Sequence, residues 1–318
     1  MKLVKKIFGA TGYFQSREKQ MYKRHSKPTK FRNLVLAIGL LATTCYSSQT
    51  AVRADDMQSG NDTTDNTVDP NISSAIIPEI KPGRQPLQGG VQHSEQLPGL
   101  GDALMPGKVY SDEALLEGNI AGNDLWYQVP TWYAGTRHTD YVTIVYRHNF
   151  LTGETTAPMQ QQLERQDTTS GFMKDKNGGI WDFNHVPAIH HVESDNENAI
   201  LYLKKVTPIS MTDDQFVIKY QEISISTSKK KGKIIKAVQQ EQINTVTSPQ
   251  PGILRIDISV RGFDANGQPF VEEQSVGFVK IVTPFQERDT FEGRDLKPLF
   301  KEYLLLKHLD NLVPDNLK

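Results

Sequence analysis

Five of the eight histidines in this 318-residue chain lie between positions 138 and 191: His138, His148, His185, His190 and His191. The densest stretch reads Trp181-Asp182-Phe183-Asn184-His185-Val186-Pro187-Ala188-Ile189-His190-His191-Val192-Glu193. Neutral imidazole and carboxylate are good ligands for zinc and similar ions. If 189–193 is extended, its side chains alternate, so His191 and Glu193 share one face and His190 takes the other. Local geometry then supplies two ligands, and a third must come from elsewhere, with His138 and Asp140 available. No helical His-Glu-x-x-His arrangement is present. Histidines hydrogen-bonded in a loop or edge strand explain the run more simply. His185, His190, His191 and Glu193 therefore stand as metal candidates, while the expectation is no metal, no cofactor and no catalytic residue.

Two other segments share a pattern. Asp175-Lys176-Asn177-Gly178 precedes Ile180-Trp181, and Asp264-Ala265-Asn266-Gly267 precedes Pro269-Phe270. Asp-x-Asn-Gly is part of a calcium loop, but such a loop needs further oxygen ligands and a distal bidentate Glu. Neither segment has them, and hairpin turns account for both. Lys229-Lys230-Lys231-Gly232-Lys233 is a compact basic run that suits an anionic surface or, more simply, a solvated hairpin tip. There is no Gly-x-Ser-x-Gly elbow, no P-loop and no Gly-x-Gly-x-x-Gly, so neither the common hydrolase signal nor nucleotide binding has support.

The elements that would carry these residues are mostly strands. In 141–150, Val142, Ile144, Tyr146 and Phe150 alternate with Thr143, Arg147 and Asn149, a period of two that predicts a strand with one buried face. Similar runs occur near 199–206, 215–226, 233–246, 253–262 and 270–282. Turn signals separate them, among them Thr152-Gly153, Asn177-Gly178-Gly179, Asp195-Asn196-Glu197-Asn198, Thr212-Asp213-Asp214, Lys231-Gly232, Ser248-Pro249-Gln250-Pro251-Gly252 and Asn266-Gly267. About ten candidate strands, several of them long, predict an antiparallel meander or a closed β-barrel, with a β-sandwich as the alternative. The tail changes to helical spacing through Leu296, Leu299, Phe300, Tyr303 and Leu304. Asp295 suits the N-cap and Pro298 falls in the first turn, which predicts a C-terminal helix over 295–310.

The domain opens with Leu125-Trp126-Tyr127-Gln128-Val129-Pro130-Thr131-Trp132-Tyr133-Ala134-Gly135-Thr136-Arg137. This resembles the opening of calycin-like β-barrels, the lipocalin, fatty-acid-binding and nitrobindin-like group, where Gly-x-Trp begins the first strand. Gly135 and Thr136 match, Arg137 stands where Trp would be, and Trp132 precedes the Gly instead. The resemblance covers fewer than ten residues and a strand count. It implies an interior able to hold an apolar ligand and carries over no ligand residue. On their own, Trp126, Trp132 and Tyr133 read as aromatic core anchors.

Charge is distributed unevenly along the chain. Residues 1–54 hold 11 Lys and Arg against one acid, Glu18, and lead into the apolar run Leu34–Ala42. That run fits the apolar region of a secretory signal, about 7–15 residues, and is too short to span a membrane, which takes about 20. Val52 and Ala54 suit the −3 and −1 positions of a cleavage site, so 1–54 reads as a signal peptide cut near Ala54. Met21 offers a second start. Cys45 lacks the small residue before it that a lipoprotein signal carries, and without it the mature chain has no cysteine and no disulfide. Residues 55–123 are acidic, polar and aperiodic, with a short helix plausible at 112–117, and read as a disordered linker. Residues 124–318 read as the folded domain.

The expectation is an exported, non-enzymatic binding protein, periplasmic or extracellular, that holds a small apolar ligand. The alternative is a structural or interaction protein contacting a cell-envelope component. A metal-assisted enzyme using the His185–Glu193 cluster ranks third. The acidic mature chain argues against a nucleic-acid partner, and membrane contact is expected only through the signal segment.

Overall fold

The computed structural model describes residues 79–116, 123–193 and 197–317. Residues 1–54, read above as a signal peptide, with Cys45 and Met21, the first part of the acidic segment (55–78), 117–122, and 194–196 in the turn before Glu197 lie outside the described residues.

From residue 123 the chain forms β1 (Asn123–Val129), β2 (Gly135–Asn149), β3 (Thr155–Thr156), β4 (Gln160–Ser170), β5 (Met173–Lys174), β6 (Ile180–Val186) and β7 (Ala188–Glu193). It continues through β8 (Glu197–Met211), β9 (Gln215–Ser228), β10 (Ile234–Gln250), β11 (Ile253–Phe263), β12 (Pro269–Pro284), β13 (Thr290–Phe291) and β14 (Arg294–Asp295). Strands β7 to β12 follow one another as an antiparallel meander, and β2 adds beside β12. β3 and β4 both pair with the far side of β2, which completes a nine-stranded sheet. β1, β6 and β5 form a second, three-stranded sheet. The six apolar runs read from sequence fall in β2 and β8–β12.

The large sheet does not close into a barrel. Its outer strands are β7 on one side and β3 and β4 on the other, and they do not pair. The reason is local. Pro187 has no N–H to continue a ladder, and at that point the chain leaves β6 in the small sheet and starts β7 in the large one. β1 likewise leads through Pro130 into β2. The small sheet is thus joined in chain to both sides of the gap and packs against the inner face of the meander. Tyr127, Val129 and Ile180 from the small sheet share one core with Val142, Val206, Phe216, Ile218, Val246, Leu254 and Ile258 from the large one.

One strand departs from strict alternation. The pairing of β2 with β12 shifts at Val145, so Ile144 lies opposite Ser275 and Tyr146 opposite Gln274. The bulge moves Tyr146 to the face opposite Ile144, not the shared face that a period of two predicts. Val145 is itself fully buried, because the other side of the sheet is also covered.

That cover corrects the linker reading of 55–123 over residues 79–116. They lie as an extended strap across the outer face of the large sheet. Gly83 donates its N–H to the Val145 carbonyl at 2.8 Å, Leu97 to Gly267 at 3.0 Å and Leu100 to Ala265 at 2.7 Å. Val109 bridges to Lys233, and a short helix α1 (Asp112–Leu116) follows. Leu104 and Leu115 of the strap are buried with Ile200, Tyr202, Ile223, Ile225 and Ile234 of the sheet. The strap is held by polar matching as much as by apolar contact, and that is why composition alone hides it.

Helix α2 (Leu296–Leu306) covers the far face of the small sheet. The Asp295 side chain caps it by accepting from the Lys297 N–H at 3.2 Å. Leu296, Phe300 and Leu304 are fully buried against Trp126, Phe172, Trp181 and Phe183. The helix ends short of the predicted 310, near His308, which takes a left-handed backbone conformation (φ 57°). The layers run strap, large sheet, small sheet, helix.

Candidate functional site

Between the two sheets lies a cavity of about 130 Å³. The strand period sets its walls. On β9, Phe216 and Ile218 face inward, and the same alternation brings Tyr220 and Glu222 to the cavity. β10 contributes Asn244 and Val246, β6 contributes Asp182 and Asn184, β7 contributes His190, and the start of β2 contributes Arg137. Leu203, Ile256, Phe183 and Phe291 supply apolar wall.

Arg137 is the dominant group. It is 4% exposed. Its Nη2 donates to Ser170 Oγ at 2.8 Å, and its Cζ sits 4.0 Å from the Tyr133 ring centroid. Its Nε and Nη1 are buried with no hydrogen-bond acceptor. Asp182 lines the same cavity and feels the Arg137 charge, but its hydrogen bonds go to other donors. Its Oδ1 accepts from the N–H groups of Gly171 and Phe183, each at 3.1 Å, and its Oδ2 accepts from Tyr127 Oη–H at 3.2 Å. Asn184 Nδ2 in turn donates to Tyr127 Oη at 2.9 Å. Among the described residues, no carboxylate lies within ion-pairing distance of Arg137.

Burial dominates the titration of the other groups. It pushes the Tyr127 and Tyr220 phenols well above their usual range, and it raises the Asp182 carboxyl despite its donors. It pushes Glu222, which accepts from Gln240 Nε2, up to about 7. It lowers His190, with neighbouring His191 adding to the effect, and His190 Nε2 is a further buried atom without a partner. The site therefore offers a fixed cation with idle donors, carboxyls that burial makes reluctant to ionise, and an apolar remainder. That arrangement can accept a hydrogen-bond acceptor or an anion.

The histidines read from sequence are dispersed. His138 is on the surface, between Asp167 (2.6 Å) and Asp140 (3.2 Å), and the Asp167 carboxylate beside it raises its pKa. His148 bonds Thr155 Oγ1 at 2.7 Å. His185 bonds Asp124 at 2.8 Å, and that carboxylate also meets Arg294. β7 is extended as supposed, so His190 and His191 diverge. His190 reaches the cavity, whereas His191 faces out to Asp112 at 3.4 Å. Glu193 lies at the end of β7, and its side chain is outside the described residues. No group of three His, Cys, Asp or Glu among the described residues is placed to hold a metal ion.

Both Asp-x-Asn-Gly segments are turns built alike. Asp175 Oδ1 accepts from the N–H groups of Asn177 (2.9 Å) and Gly179 (2.8 Å). Asp264 Oδ1 accepts from those of Asn266 and Gln268, each at 2.9 Å. Trp181 Nε1 and Gln128 Nε2 occupy Asp175 Oδ2. The lysine run forms the exposed tip between β9 and β10. Trp126 is a buried core anchor against Phe300, while Trp132 donates to the Asp213 carbonyl at 2.6 Å beside the β8–β9 turn.

Sequence reasoning singled out Arg137 only as a departure from a family pattern and did not single out Asp182, Tyr220 or Glu222 for the site. The available signal was the period of two in β9, which places Glu222 on the same face as Phe216 and Ile218. Compared with family models, curated proteins and solved structures, the chain matches none.

Proposed function

We propose that this protein is an exported, non-enzymatic binding module that holds one small ligand between its two sheets. The observation that carries this reading is the cavity itself, a partly open volume with an apolar wall and a few convergent polar groups, as ligand sites usually have. The calycin-like opening and the signal-like leader supported the same reading from sequence. Size limits the guest. An apolar cavity of about 150 Å³ takes up benzene, so about 130 Å³ suits a body of that size and not a long acyl chain. A protein whose only task is to present an outer surface gains nothing from this internal volume, and that places the interaction-protein reading second.

The test is native mass spectrometry of the protein as purified, repeated on Val246→Trp, which fills the cavity. A co-purified or added small molecule is expected on the original chain and not on the variant. Identical ligand uptake by both would remove the cavity from the function.

A further inference from the structure

We infer that the ligand is a small carboxylic acid whose carboxylate is gripped by Arg137. The inference rests on the binding-module reading and names the chemical class that the module takes. A guanidinium is charged at every accessible pH. Asp182 attracts that of Arg137 through space, but burying its N–H donors is unfavourable unless they meet acceptors. Here the Tyr133 ring and Ser170 hold the group in place, yet Nε and Nη1 meet no acceptor. Asp182, the carboxylate best placed to neutralise it, is bound by two backbone N–H groups and the Tyr127 hydroxyl. The site is thus preorganised for an acceptor that the protein does not supply.

The walls narrow the choice of acceptor. One cation faces a cavity that also holds Asp182 and Glu222, so a multiply charged phosphate would add repulsion that a single carboxylate keeps small. The rest of the lining includes Leu203, Val246, Ile256 and Phe291, which suits a compact apolar body attached to the acid. A fork of N–H donors matches carboxylate geometry and forms strong charge-assisted bonds.

The experiment is isothermal titration of the full chain with benzoate and with benzamide, which has nearly the same shape and no charge. Benzoate is expected to bind at least tenfold tighter, and the preference is expected to vanish in Arg137→Met, which keeps an unbranched stem. If Arg137→Met does not fold, the comparison on the unaltered protein still decides, supported by the ¹⁵Nε resonance of Arg137, which should move with benzoate and not with benzamide. Equal affinity for the two probes overturns the acid assignment and leaves the binding module standing. Binding of neither probe overturns both.

Discussion

Glu222 faces the cavity from β9, two positions beyond Tyr220, and burial pushes its carboxyl up to about 7. The folded state therefore holds this proton more tightly than the unfolded chain, whose carboxyl titrates near 4.5. Stability is unaffected below that value and falls as pH rises from about 4.5 to 7. At 1.36 kcal/mol per pKa unit, the loss amounts to about 3 kcal/mol. Glu222→Gln keeps an acceptor for Gln240 and removes the proton dependence. Urea titrations should find the variant more stable than the parent by about that amount at pH 8 and equal to it at pH 4; equal stability at both would show that Glu222 ionises freely in the fold. At this scale the sequence was legible in one respect. A charged residue in phase with Phe216 and Ile218 must be buried or the strand is out of register. What no local pattern states is which distant strand fills the space opposite, and so the meeting of Arg137, Asp182 and Glu222 stayed hidden.

The strap is the element whose sequence misled most. Between residues 79 and 116 the apolar residues are aperiodic, so beyond the short helix expected at 112–117 nothing predicted order. Around residues 85–98 its attachment is polar. Ser94 gives both its N–H (2.7 Å) and its hydroxyl (2.9 Å) to Glu241, Lys219 adds a 2.8 Å contact, and His93 bonds Ser259 at 2.9 Å. Burial pushes the Glu241 carboxyl up, but His93, Lys219 and Ser94 outweigh it and hold it well below the usual carboxylate range. The associated stability is present above about pH 4.5 and is lost as pH falls through the lowered value. Glu241→Ala strips a fully buried charge from its partners and should destabilise by about 3–5 kcal/mol in urea titrations; a change below about 0.5 kcal/mol, typical of a surface site, would mean that the strap is not fixed there. Gly267 gives a second test. Its φ is +83°, and a Cβ there would collide with the Leu97 carbonyl. Gly267→Ala should cost at least about 1 kcal/mol and make residues 79–116 more open to protease than in the parent. Equal cleavage rates would refute the docking of the strap at this turn.

In the whole molecule, four layers share their cores through two sheets, and the tail secures the outermost layer. Phe300 is fully buried and packs on Trp126 with ring centroids 4.8 Å apart. Phe300→Ala should cost about 3–5 kcal/mol and shift tryptophan emission with the same midpoint as far-ultraviolet circular dichroism. Separate midpoints would mean that the helix and small sheet come off on their own. The β class, the six main runs and the capped C-terminal helix were legible, because hydrophobic period and turn chemistry act over a few residues. The antiparallel meander was among the readings, but whether it closes was not legible. Closure depends on where a strand changes sheets, and the switch at Pro187 is invisible without knowing the partner of β6. β4 was missed for a related reason: it reads Gln160-Gln161-Gln162-Leu163-Glu164 and is held by its ladder to β2 rather than by an apolar face.

The strap also has a consequence for how the chain comes into being. A ribosome makes residues 79–116 before any strand they lie on. The side-chain bonds of Gln85, His93, Ser94 and Pro98 to β10–β12 span 141 to 189 residues. Contacts at such separations form late, because long loops must close first. A segment synthesised before every strand it covers is thus among the last to dock. Until it does, Ile223, Ile225 and Ile234 stand bare on the outside of a nearly complete sheet, which makes the chain stickiest just before it is finished.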